Sequence, residues 1–242
     1  MTFFYHPNAE DKALVTLSEE ESRHCTRTLR MVKGDGCYLI NGRGGLFKAI
    51  VSEANPRATV LQVERTIPVK KPQLLIHIAM APTKNADRFE WFLEKSTELG
   101  IERISPVICS HSERKKIRKD RLEKVVLSAT KQSQKAWLPQ IDNLMMYSDF
   151  IEKLNTSNLT HKYIAHCKEQ GQKISVSSIF PIPERILILI GPEGDFSREE
   201  IGLATKAGFK ELTLGEARLR TETAGIYAVS ALHALRSMEL SN

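Results

Sequence analysis

The sequence predicts an α/β protein in two parts: a small β-barrel domain over residues 1–70 and a parallel-sheet domain over residues 73–242. Three observations carry this expectation. The first 67 residues hold short strand-like runs around a single helix, the stretch Ile67-Pro68-Val69-Lys70-Lys71-Pro72 interrupts any regular element, and from Gln73 apolar strands alternate with amphipathic helices. A length of 242 residues suits two domains of unequal size.

In the first part, Tyr38-Leu39-Ile40 and Leu46 to Val51 flank the glycine-rich turn Asn41-Gly42-Arg43-Gly44-Gly45, and Thr59 to Val63 offers a further strand. Ser18 with Glu21 reads as a capping box, after which Cys25, Thr28 and Leu29 recur at helical spacing until Gly34. In the second part the expected strands are Leu74 to Met80, Ile104 to Cys109, Tyr163 to Cys167, Arg185 to Ile190 and Glu211 to Leu214. The expected helices are Asp87 to Leu99, closed by Gly100, then Arg121 to Ala136, Asp149 to Leu154, Arg198 to Ala207 and Glu222 to about Met238. Strands such as Ile186 to Ile190, apolar on both faces, belong in a parallel sheet covered on both sides. Trp91 and Phe92 fall in an amphipathic helix and are expected in the core. The last helix has an unusually small inward face, Ala224, Ala228, Ala231, Leu232 and Leu235, suited to close packing of another helix, including one from a second subunit.

Composition excludes several classes. Hydrophobic residues at 41% and charged residues at 26% match globular proteins, and no run reaches the roughly 18 apolar residues of a membrane span. The start, with no basic segment followed by an apolar one, does not resemble a secretory signal, so a soluble cytoplasmic protein is expected. Cys25, Cys37, Cys109 and Cys167 are too scattered for a disulfide framework and form no zinc-type pair; His161, His166 and Cys167 lie close together without a metal-site spacing. No metal is expected. Between His111 and Lys135 nine Lys/Arg residues meet three acids, an excess that accounts for the whole net charge of +6. Such a local field favours polyanions, although a basic run on a helix is also an ordinary solvated face.

Ligands of open parallel sheets bind beyond the carboxyl ends of the strands, and two loops there stand out. Gly191-Pro192-Glu193-Gly194-Asp195-Phe196 leaves the most apolar strand and enters a helix capped by Ser197 with Glu200. It lacks the third glycine of a dinucleotide fingerprint and the Gly-Lys-Ser/Thr of a phosphate loop, and taken alone it is equally an ordinary turn. In the second loop, Leu214 to Gly225, Arg218, Arg220, Glu216, Glu222 and two threonines crowd a helix N-terminus. Arginines are out of place beside the positive end of a helix dipole unless they attract an anion or pair with a nearby glutamate.

These two segments, Ile190 to Gly194 and Leu214-Gly215 through Arg220-Thr221-Glu222-Thr223-Ala224, resemble the signature loops of the RsmE family, the ribosomal RNA uridine N3-methyltransferases of the SPOUT superfamily. Further segments agree in order: His24 to Asp35, Lys84 to Gly100, Ser112-Glu113-Arg114 and Ala129 to Pro139. Two positions depart from the family pattern: Asp195, where many relatives carry glycine, and Gln134-Lys135, where Gly/Asn-Arg is frequent.

The resemblance implies a PUA-like barrel, a SPOUT domain with a carboxyl-terminal trefoil knot, and a homodimer. It implies S-adenosylmethionine as methyl donor, held by three loops that include His166, Ile190, Gly191, Glu193, Gly194, Leu214, Gly215, Leu219 and Arg220. The implied substrate is a uridine of 16S ribosomal RNA within the small ribosomal subunit. Methylation at N3 requires charge stabilisation on the base, a role that falls to Arg220, with Glu222 as proton acceptor or orienting partner; as a first-turn acid Glu222 also has a purely structural reading. Arg30, Arg43, Lys84, Arg114 and Lys115 are the expected phosphate contacts. The rival is a non-catalytic RNA-binding or ribosome-assembly protein, which would have no use for Gly191, Gly194 and Gly215 at separate strand ends beside Arg220 and Glu222. A nucleotide-binding enzyme of the doubly wound type is disfavoured by the missing fingerprints.

Overall fold

Period-two alternation in the first part builds an open five-stranded sheet in the computed structural model, which describes residues 2–11, 13–154, 159–168 and 172–241. The strands are β1 (Phe3–Tyr5), β2 (Leu14–Thr16), β3 (Gly36–Ile40), β4 (Leu46–Glu53) and β5 (Val60–Ile67), in the order β1-β3-β4-β5-β2. Along β4 every second side chain is buried, so Phe47, Ala49 and Val51 join Phe4, Leu39, Leu61 and Val63 in one core. Helix α1 (Glu19–Arg23) begins where the Ser18 hydroxyl accepts the Glu21 N–H at 3.3 Å, and it runs into a wider π-helical turn, His24–Thr28. The short strands β1 and β2 escaped the sequence reading because three residues carry too little periodicity.

The chain clusters into two units, Met1–Lys71 with Leu127–Leu138, and Pro72–Val126 with Pro139–Asn242. The second unit contains β6 (Leu75–Met80), α2 (Ala86–Leu99), β7 (Arg103–Ile108), the start of α3 (Lys119–Gln132), β8 (Gln140–Ile141), β9 (Met145–Met146), α4 (Tyr147–Leu154), β10 (Lys162–Ala165), β11 (Ile174–Ser175), β12 (Arg185–Ile190), α5 (Arg198–Lys206), β13 (Lys210–Thr213) and α6 (Thr221–Ser241). Its sheet runs β11-β13-β10-β12-β6-β7-β8, with β9 also on β7, and every pairing is parallel. The central strand β12 is buried over its last five residues, as its unbroken apolar run requires.

Two expectations need correction. The helix expected to reach Ala136 ends at Gln132, because Gln134 turns left-handed at φ 56° and the chain breaks there. Of the two aromatic residues on α2, Phe92 is buried but Trp91 is 45% exposed: the inward face is Phe89, Phe92, Leu93 and Ser96, and position 91 points away from it. Of the small face of α6, Ala228 and Leu232 are buried within the chain, while Ala224, Ala231 and Leu235 stay partly exposed; α6 packs on α2 and β6, where a Cβ on Gly225 would lie 2.4 Å from the Met80 methyl carbon and 2.6 Å from the Phe92 ring.

At the amino end of the sheet, a polar cluster sits under α4. His77 Nε2 and Ser105 Oγ are 2.7 Å apart, the Ser105 hydroxyl donates to Asp142, and Arg103 donates to both Asp142 oxygens at 2.9 Å. Burial, aided by the Arg103 charge, pushes the His77 imidazole down to about 3. With its folded value below the unfolded value of 6.5, His77 binds a proton first in the unfolded chain, so its contribution to stability is present above pH 6.5 and is lost as the pH falls toward 3. The unfolding free energy, followed by denaturant titration between pH 6 and pH 4.5, should fall more steeply in the native protein than in His77→Gln by about 1.4 kcal/mol per pH unit; parallel curves would contradict this assignment.

Candidate active site

Neighbouring parallel strands deliver their following loops side by side. Because β13, β10 and β12 are consecutive in the sheet, with Ala165 in register with both Leu212 and Ile190, the chain segments after each strand converge although they lie far apart in sequence. They line a cavity of about 580 Å³. His166, Ile190, Gly191, Glu193, Leu214, Gly215, Leu219 and Arg220 all lie on its wall, together with Cys167, Lys173 and Asp195. Gly194 alone among the expected cofactor contacts is not on that wall.

The loops are tied to one another by specific bonds. The Thr221 hydroxyl, at the start of α6, donates to the Gly191 carbonyl at 3.1 Å, which fixes the second loop against the first. Lys84 N–H donates to Glu193 Oε1 at 2.9 Å, and the Lys173 ammonium donates to the His166 carbonyl at 2.8 Å. Behind the first loop the Ser197 cap and Glu200 form a reciprocal capping box, and the same buried Glu200 accepts Ser110 N–H at 2.7 Å. Gly215, at φ 112°, occupies backbone space that a branched side chain would resist.

Gly194 does not adopt a positive φ; the left-handed residue is its neighbour Asp195, at φ 64°. Gly194 is small because a Cβ there would come within 2.9 Å of His111 Cβ. Both departures from the family pattern, Asp195 and Gln134, thus fall on left-handed backbone, where glycine or asparagine is the usual occupant. Asp195 compensates with its carboxylate, which accepts Cys167 N–H at 3.0 Å and Phe196 N–H at 2.8 Å and so links the loop after β12 to the end of β10.

The His166 side chain is fully enclosed; Nε2 lies 2.9 Å from Glu211 Oε2, while Nδ1 is buried without a partner. Burial and the Lys173 charge lower its pKa against the opposing pull of Glu211. The ring is therefore neutral at physiological pH, and a proton on Nε2 facing Glu211 leaves Nδ1 as a lone-pair acceptor. Glu211 and Lys173 were not foreseen, since only the β10 and β13 register brings Glu211 to His166.

Beside this cavity lies a second, of about 640 Å³, which shares the wall Arg218-Leu219-Arg220 and adds Asp87, Arg88 and Trp91 from α2 and Glu222 and Thr223 from α6. Glu222 is buried in the first turn of α6; its Oε1 is 3.8 Å from Arg88 Nε, and Oε2 has no hydrogen-bond partner. Arg220 is exposed.

The expected phosphate contacts divide between the units. Arg30 and Arg43 belong to the first; Arg30 is left-handed at φ 54°, and the Arg43 guanidinium donates to the Pro7 carbonyl at 2.8 Å. In the second, Arg114 donates to the carbonyls of Thr83 and Lys84 at 3.0 and 2.7 Å, and Lys84 pairs with Glu113 at 2.8 Å. Lys115 is exposed. Among the described residues no three His, Cys, Asp or Glu side chains gather as a metal site, and no helix is long and apolar enough to cross a membrane.

A parallel sheet whose loops close over a ligand cavity, with basic residues at its rim, defines this chain as a member of the RNA methyltransferase domain family, which matches residues 70–233; the PUA domain of RNA methyltransferases matches residues 17–64. Within that class it belongs to the ribosomal RNA small subunit methyltransferase E family. The protein of that name from Rickettsia conorii is 29% identical over 230 residues, covering 95% of this chain and 93% of the relative. A probable rRNA-methyltransferase from Porphyromonas gingivalis superposes with a TM-score of 0.88 at 37% identity, covering 99% of this chain and 100% of that one. A putative methyltransferase from Legionella pneumophila, solved with bound cofactor SAM, gives 0.85 at 30% identity over 96% of this chain and 97% of that one.

The Asp195 geometry generates a stability prediction. Asp195→Ala keeps a Cβ on left-handed backbone and loses both acceptors, and should cost about 2 kcal/mol; Asp195→Gly relieves the backbone and should cost about 1 kcal/mol less. Denaturant unfolding of the three proteins reads the order, and a glycine variant no more stable than the alanine one would contradict it.

Proposed function

We propose that this protein transfers a methyl group from S-adenosylmethionine to N3 of a uridine in 16S ribosomal RNA, acting in the cytoplasm on the small ribosomal subunit. The observation that carries the proposal is the pair of cavities sharing the wall Arg218-Leu219-Arg220, one built from three strand ends and the other holding the partnerless carboxylate oxygen of Glu222. A donor and an acceptor must meet across such a wall. A non-catalytic RNA binder leaves both cavities and the buried Glu222 without a purpose.

The first cavity suits the cofactor. Its volume of about 580 Å³ lies in the range of small-molecule sites. Ile190, Leu212, Leu214 and Leu219 supply apolar surface, and His166 Nδ1 is a buried acceptor awaiting a donor. His166, Ile190, Gly191, Glu193, Leu214, Gly215, Leu219 and Arg220 would hold it, with Gly194 acting behind the wall by letting the loop approach His111. When bound, S-adenosylmethionine supplies a methyl group already activated on a positively charged sulfur.

The remaining work falls on the acceptor base. Uracil N3 carries a proton at neutral pH, and its lone pair is a poor nucleophile until that proton leaves. Glu222 Oε2 takes the proton, and Arg220, at the positive end of the α6 dipole, stabilises the negative charge that develops on the base. Arg30, Arg43, Lys84, Arg114 and Lys115 act on RNA phosphates, with Arg114 also bracing the backbone at Thr83 and Lys84. The trefoil knot and the homodimer belong to the same proposal. The knot rests on the family resemblance alone, and support for the dimer is the outward residues of α6, Tyr227, Met238 and Leu240, which stay exposed on a single chain.

Two outcomes are expected. On purified small subunits at saturating cofactor and RNA, Arg220→Ala should turn over about a hundredfold more slowly or worse; normal turnover would remove the charge-stabilisation role, and an active Glu222→Gln would remove the proton-acceptor role alone. In sedimentation at micromolar concentration the protein should run at twice its 27.3 kDa chain mass, and a fully active species at the single-chain mass would defeat the dimer.

A further inference from the structure

We propose that the groove between α2 and the start of α6 receives the base to be methylated, with Trp91 as its stacking surface and Arg88 as the residue that positions Glu222; this rests on the reaction proposed above. Three independent observations converge there. Trp91 is 45% exposed on a helix whose core is already filled by Phe89, Phe92 and Leu93, so its indole contributes a flat apolar face to the groove rather than to the interior. Every nucleobase has a π-face that such a surface accepts. One turn away on the same side of α2, Arg88 Nε stands 3.8 Å from Glu222 Oε1, which leaves Oε2 as a buried acceptor with nothing to accept from. The N3–H of uracil is a donor of the required kind.

Charge settles the class of occupant. Arg88, Arg218 and Arg220 place three arginines around one exposed indole, against the exposed Asp87 and the buried Glu222. That combination matches the phosphate, base face and N–H of a nucleotide. The groove also shares Arg218, Leu219 and Arg220 with the cofactor cavity, so a base held on Trp91 lies next to the donor's cavity as methyl transfer requires. In this arrangement Arg88 acts through Glu222 by holding one of its oxygens and turning the other to the base.

The chain has two tryptophans, Trp91 and Trp137, so each can be read alone by fluorescence. In Trp137→Phe, addition of 16S ribosomal RNA should quench the emission of Trp91. Trp91→Ala should raise KM for the RNA about tenfold or more, with Trp91→Phe restoring most of the loss, while calorimetric affinity for S-adenosylmethionine is unaltered. Arg88→Ala should lower kcat and leave the quenching intact, with partial recovery in Arg88→Lys. Native enzyme that methylates RNA while Trp91 is not quenched and Trp91→Ala keeps its KM would overturn the groove assignment. Quenching of Trp91 without any methyl transfer by the native protein would sustain the groove and sink the reaction instead. Trp91 emission that responds to protein concentration and not to RNA would assign the groove to a second copy and likewise overturn the proposal.

Discussion

The parallel adjacency of β13, β10 and β12 is the constraint on which the rest of the site depends. A strand pair in parallel register must place both following loops at the same edge of the sheet, so the order β13-β10-β12 gathers His166, Gly191 and Gly215 without any further instruction. What remains is to hold three loops in one arrangement, and each is held by a different device. Thr221 seats the start of α6 on Gly191, Asp195 reaches back to Cys167, and Glu200 caps its helix while binding Ser110 N–H. Side chains thereby satisfy backbone groups that would otherwise lack partners at the edge of a buried sheet.

Two unsatisfied polar groups lie at this same end of the sheet. His166 Nδ1 and Glu222 Oε2 are both buried without partners, each on the wall of a different cavity, and the two walls meet at Arg218-Leu219-Arg220. A buried acceptor left open costs free energy that a structural role alone does not return, so its persistence at a cavity wall is the mark of a site that expects a donor. The cluster at the opposite end is different in kind. His77, Ser105, Asp142 and Arg103 answer one another, and that closed network bears on acid stability.

Strands and helices with many buried positions were legible in the sequence because period and burial agree, as along β4 and β12. The two ligand loops were legible because glycines and arginines sit where propensity alone has no use for them. Trp91 was missed because it was read with Phe92 as part of one apolar stripe; the spacing Phe89, Phe92, Leu93, Ser96 already puts position 91 on the other side of the helix. The small strands β8, β9 and β11 span two residues each and have no period to read. Gln134 and Asp195 hide their left-handed backbone because neither is glycine, and only their departure from the family pattern marked them. The return of Leu127–Leu138 to the first unit lies beyond any linear reading, since a boundary drawn at Pro68 to Pro72 treats each domain as one continuous segment.

The central claim is that this pair of cavities methylates N3 of a uridine in small-subunit ribosomal RNA. It is tested most directly by incubating purified small subunits that lack the modification with this protein and S-adenosylmethionine carrying an isotopically labelled methyl group, then digesting the RNA to nucleosides for mass spectrometry. The account predicts one labelled 3-methyluridine per 16S ribosomal RNA. Label on a different nucleoside, or no label in RNA that the protein demonstrably binds, would contradict it.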